Sequence, residues 1–128
     1  MLIAGLVFAA VAALVHVFIF YLESIAWTTP RARAVFGTSE AEAEATKPLA
    51  LNQGFYNLFL AILIGAGIVV IAAGQQAVGA TLVFAGAGSM VAAGIVLIVS
   101  DPSKTSAALK QLVPPAIGVL LLAIGLLA

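Results

Sequence analysis

The residues with chemistry to offer are the few polar side chains set inside apolar runs. His16 and Glu23 stand seven apart in the first run. On a helix that spacing puts them on one face, two turns and roughly 10 Å apart. A carboxyl and an imidazole so placed can act as acid and base on one ligand, but the gap is too long for a direct bond. Downstream lies Asn52-Gln53-Gly54-Phe55-Tyr56-Asn57. Asn52 with Tyr56, and Gln53 with Asn57, are i, i+4 pairs, which predicts one shared side of a helix. Amides and a phenol orient a ligand. Gly54 among them leaves room for that ligand or for a close helix neighbour. Arg31 and Arg33 could hold an anionic head group. Ser89 should lie at the depth of His16 and could bond it. Asp101 should lie at the rim, within reach of Arg31 or Arg33. Each residue also has a plainer use. Single amides tie helices together at about 0.6 kcal/mol per bond, and Glu23 could simply pair with one of the two arginines.

These side chains must be positioned by membrane-spanning helices. Of 128 residues, 64% are hydrophobic and 8% are charged, with five basic and five acidic residues and a net charge of zero. That excludes a soluble enzyme, a nucleic-acid-binding surface and a disordered chain. There is no cysteine, hence no disulfide, thiolate zinc site or cysteine nucleophile. One histidine and five carboxylates are few for a metal site, so neither metal nor cofactor is assigned. Four apolar runs, at about 2–27, 49–73, 78–99 and 107–128, each approach the roughly 20 residues a spanning helix needs. They are continuous and lack the period-two alternation of a barrel strand. The expected fold is all-α, a polytopic four-helix transmembrane bundle forming one domain over residues 1–128. The first run is long enough to be a retained helix and lacks the basic start of a signal peptide.

Charge sets the orientation. Arg31, Arg33 and Lys47 fall in the connection 28–48, with Lys104 and Lys110 in or beside the third connection. Basic short loops favour the cytoplasm, which places loop 28–48 inside and both termini outside. Trp27 suits an interfacial anchor. Ser39 with Glu42 has capping-box spacing and predicts a short helix in the first connection. Pro48 suits the first turn of the second span, and Pro114-Pro115 should break or kink the fourth, leaving 104–112 as a separate turn. Ala61 and Gly65, with Gly86, Ala87, Gly88, Ser89, Ala92, Ala93 and Gly94, allow close helix packing or a homo-oligomer seam. The first and third spans each end in a proline near a base, too little for a repeat.

His16, Tyr21-Leu22-Glu23, Trp27-Thr28-Thr29-Pro30-Arg31, Phe36-Gly37, Thr46-Lys47 and the stretch Asn52-Gln53-Gly54-Phe55-Tyr56-Asn57-Leu58-Phe59-Leu60-Ala61 carry a likeness. The pattern resembles a bacterial family of small four-span membrane proteins catalogued as domain of unknown function 1304. The resemblance covers nearly the whole chain and is most specific in the first sixty residues. It implies a multi-pass protein of the bacterial plasma (inner) membrane and names no reaction. Three functions compete. One is a cytoplasm-facing pocket between the first two spans for a small amphiphile or lipid-like ligand. There His16 and Glu23 are the acid/base candidates, and Glu23, Asn52, Gln53, Tyr56, Asn57, Arg31 and Arg33 are the binding residues. The others are a proton-coupled transporter or exporter and a structural or assembly subunit. Membrane lipid is the expected partner, with no nucleic acid.

Overall fold

The computed structural model describes all of residues 1–128. It contains α1 (Leu2–Phe20), which continues into a π-helical turn (Tyr21–Ile25), then α2 (Pro30–Phe36), α3 (Glu40–Ala72), α4 (Gln76–Ser100), a 3-10 turn (Pro102–Lys104) and α5 (Thr105–Leu127). No strand is present. Four stretches are long and apolar enough to cross a membrane: Leu2–Ile25, Glu40–Ala72, Gln76–Ser100 and Pro102–Leu127. The protein is an all-α bundle of four candidate membrane spans.

The spans form a ring. α1 packs on α3 and α5, and α4 packs on the same two helices from the opposite side, with little contact across the diagonal. Gly125 of α5 meets Leu2 of α1, so both termini lie at one end, which we call the terminal end. α2 and the 3-10 turn lie at the other, the loop end, joined where Lys104 Nζ donates to the Phe36 carbonyl at 2.7 Å.

Small residues set the packing. The buried cluster is Ala9, Ala12, Ile64, Val83, Ala87, Met90 and Leu122. Where α3 crosses α4, a Cβ on Gly67 would lie 2.6 Å from the Gly79 carbonyl oxygen, so backbone meets backbone. Gly86, Ala87 and Gly94 of the small-residue run in α4 are buried, whereas Ser89, Ala92 and Ala93 are exposed. Gly65, two residues before Gly67, has nothing within 4 Å of a built Cβ. Large apolar side chains such as Ile3, Leu14, Val69 and Val99 point outward, as a hydrocarbon solvent permits.

Two proline expectations are corrected. α3 begins at Glu40, so Pro48 lies inside it and not in the first turn of a separate span. The capping box at Ser39 starts the helix early, and Pro48 then forfeits only its bond to the exposed Glu44. Likewise α5 runs unbroken through Pro114 and Pro115, and 105–112 is its first part, not a separate turn. Pro115 is buried, and packing on α1 and α4 holds the helix across the two missing bonds.

Candidate functional site

Local chemistry specifies nearly every turn between α1 and α3. The Ala26 N–H donates to the Tyr21 carbonyl at 2.9 Å, an i to i−5 bond that closes the π turn. That wider turn holds Glu23, and it buries both Leu22 and Glu23. Thr29 Oγ1 donates to the Ala26 carbonyl at 2.7 Å and accepts from the Ala32 N–H at 3.3 Å, capping α2 ahead of Pro30. Gly37 ends α2 at φ 67°, a left-handed position that glycine takes without strain. The predicted capping box is present, with Glu42 accepting from the Ser39 N–H at 2.8 Å and Ser39 Oγ accepting from the Glu42 N–H at 3.2 Å, but it opens the long α3 and not the short separate helix expected in the connection. Trp27 Nε1 donates to the Ala43 carbonyl at 3.0 Å and to Thr46 Oγ1 at 3.2 Å. The indole thus pins the start of α3 to the end of the first span, a helix-to-helix tie and not the interfacial anchoring expected of it.

Within this frame Glu23 Oε2 accepts from Asn57 Nδ2 at 2.8 Å. Asn57 Nδ2 also lies 3.2 Å from the Gln53 carbonyl, one turn back on α3. The next residue, Ser24, donates from Oγ to the Leu51 carbonyl at 2.9 Å, a second tie between the spans. Gly54 makes that approach possible, because a Cβ there would collide with Ser24 Oγ. The room left by Gly54 is therefore taken by a helix neighbour. His16 is buried, and its Nδ1 lies 2.9 Å from the Ala12 carbonyl. A carbonyl only accepts, so Nδ1 carries the proton of this bond, and Nε2 has no protein partner.

His16, Glu23, Gln53 and Asn57 line a cavity of about 550 Å³. It reaches beyond the first two spans: Phe36 of α2, Met90 of α4, Asp101 just after α4, Lys104 of the 3-10 turn and Gln111 of α5 complete it. Glu23 and Gln53 also line a second cavity, of about 390 Å³, shared with Trp27, Thr38 and Thr46. There the Thr38 hydroxyl is buried without a hydrogen-bond partner. No three His, Cys, Asp or Glu side chains gather closely enough to hold a metal ion.

Of the seven binding residues expected, the cavity unites Glu23, Gln53 and Asn57. Asn52 and Tyr56 are exposed and line no cavity described here. They start one residue earlier on the helix, about 100° away from Gln53 and Asn57, so the two pairs point to different sides. Arg31 lies over the Phe18 ring, 5.7 Å from its centroid, and Arg33 approaches Glu40 at 3.9 Å. Neither lines the main cavity. Ser89 is exposed and donates to Ala85 of its own helix at 2.7 Å, so it does not bond His16. Asp101 caps the 3-10 turn by accepting from the Ser103 N–H at 3.1 Å, in place of pairing with an arginine. Sequence reasoning missed Lys104 and Gln111 as cavity residues. Gln111 had a readable signal, a lone amide in an apolar run seven residues after Lys104.

Comparison with curated proteins and with solved structures gives no match. A family model described as protein of unknown function (DUF1304) matches residues 10–123. The signature stretches around His16, Glu23, Trp27 and Asn57, which build the cavity wall and its supports, all fall within that match, and the chain belongs to the DUF1304 family.

Proposed function

We propose that the main cavity binds a small amphiphile with an uncharged, hydrogen-bonding head. The observation that carries this reading is the division of its lining. His16, Glu23, Asn57 and Gln111 offer donors and acceptors, while Ile19, Leu60 and Met90 offer an apolar wall. The volume of about 550 Å³ falls within the range of small-molecule pockets, roughly 300–1,000 Å³. Arg31 and Arg33, the expected partners of an anionic head, line other surroundings, and the cavity carries Glu23 and Asp101 against Lys104. His16 Nε2 and Glu23 are the groups placed to exchange a proton with an occupant.

The test is extraction from native membranes followed by mass spectrometry of co-purified small molecules. A tailed compound should accompany the wild type and be lost from Asn57→Leu and from Ala93→Trp, which fills the cavity from α4. Equal content in all three proteins would refute the reading and leave a structural or assembly role for these side chains. A second reading, proton-coupled transport, draws support from Glu23 and Gln53 lining both cavities. Flux into liposomes that survives Glu23→Gln would remove it.

The loop end is assigned to the cytoplasm of a bacterial plasma membrane, with both termini outside. All five bases, Arg31, Arg33, Lys47, Lys104 and Lys110, sit toward that end. The natural chain has no cysteine. Single cysteines at exposed Ala41 and Ala128 therefore report sidedness without background. In intact cells an impermeant thiol reagent should label Ala128→Cys and spare Ala41→Cys; the reverse pattern inverts the topology.

A further inference from the structure

A third opening lies on the flank of the bundle, a cleft of about 520 Å³ between α1, α2 and α5. Its α1 wall is Val15, Phe18, Ile19 and Leu22, spaced i, i+3, i+4 and i+7 on one helix face. Its other side carries Ser103 and Lys104 of the 3-10 turn with Ser106 and Lys110 of α5. No acidic side chain lines it; Glu23 and Asp101 line the main cavity instead. Arg31 lies over the Phe18 ring of that wall, 5.7 Å from its centroid, but is not itself part of the lining. Lys104 spends one donor on the Phe36 carbonyl, and an ammonium has two more.

We propose that this cleft binds one anionic phospholipid of the bilayer, its acyl chain along Val15 and Leu22 and its phosphate between Lys104 and Lys110. A zwitterionic lipid brings the same phosphate but adds a head-group cation that the two lysines repel and no carboxylate in the lining receives, and a free anion leaves the apolar wall unused, so charge and apolar surface together select the anionic lipid. The cleft shares Phe36, Lys104 and Gln111 with the main cavity, so the test turns on Lys110 and Ala34, which line the cleft alone.

The test is native mass spectrometry of the full chain released from nanodiscs made of equal parts phosphatidylglycerol and phosphatidylcholine. The wild type should retain phosphatidylglycerol preferentially. Lys110→Gln should lower that preference about fivefold, the worth of one lysine near an anionic surface. Ala34→Trp should abolish retention by filling the cleft from α2. Both positions are exposed, so the fold is spared. Lys47→Gln, on α3 away from the cleft, should change nothing. Equal retention of the two lipids by the wild type overturns the proposal, as does an unaltered preference in Lys110→Gln and Ala34→Trp. Displacement of the lipid by inorganic phosphate alone also overturns it, by making the site one for a free anion.

Discussion

The two ends of the bundle are built on opposite plans. Toward the terminal end the helices touch through glycine: Gly5 on Leu122, Gly125 on Leu2, and Gly67 on Gly79. The groove there, beside Gln76 and Thr81, has no titratable side chain in its lining. Toward the loop end the same helices separate around cavities that hold Glu23, Asp101 and Lys104, and the close approach that remains between the first two spans, at Gly54, is tied by side-chain hydrogen bonds. Lipid offers no hydrophobic drive to press helices together, so close packing and interhelical bonds must do it. Dense packing at one end leaves the other free to enclose space.

Substitutions at four contacts can break or sharpen that contrast. The largest effect belongs to the glycine contact. Gly67→Val drives a branched side chain into the Gly79 carbonyl and should cost about 3 kcal/mol of stability in detergent unfolding. Gly65→Val, facing open space two residues away, is the control and should leave the midpoint in place. If the two behave alike, backbone contact is not what holds this end. Asn57→Leu comes next. It strips the buried Glu23 carboxyl of its partner and should cost about 2 kcal/mol, with Glu23→Gln in the Asn57 variant restoring less than half. Trp27→Phe keeps the ring contact with Phe36 but loses both indole bonds. About 1 kcal/mol is expected, seen as faster hydrogen exchange over the first turns of α3 and unchanged exchange at the terminal end. The smallest change is Ser24→Ala, about 0.6 kcal/mol for one interhelical bond. A larger loss would mean that this bond and the Glu23–Asn57 bond act together, which a double-mutant cycle would resolve.

The spans could be read from the chain because continuous apolar runs of that length have one solution in lipid. The Ser39–Glu42 box was equally legible, since its reciprocal bonds depend only on residues three apart. Glu23 and Asn57 were separately visible as polar residues in apolar helices. Their meeting was a matter of tertiary register, which Gly54 and Ser24 set by letting two backbones approach. Asn52 and Tyr56 were drawn into the site because polarity marks a residue without saying which way it faces; only the helical angle separates them from Gln53 and Asn57. Pro48, Pro114 and Pro115 misled for a related reason. Local rules forbid what packed membrane helices tolerate. On the cavity's α5 wall Gln111 is visible as an amide in an apolar run, but which cavity it faces depends on how the ring closes.

The π turn at Tyr21–Ile25 amounts to a one-residue insertion absorbed by a helix. Its length is therefore adjustable where that of the neighbouring α-helical turns is not. Deleting one residue from this stretch would leave a regular α-helix with everything beyond it close to its present phase, whereas deleting one from the α-helical turns before it would swing everything beyond by about 100° and pull it back by about 1.5 Å. Trp27 would then miss the Ala43 carbonyl, and the connection leading to α2 would start from the wrong side of the bundle. The surplus residue is held as slack: the helix carries one extra side chain beside Glu23 without turning the junction that follows it.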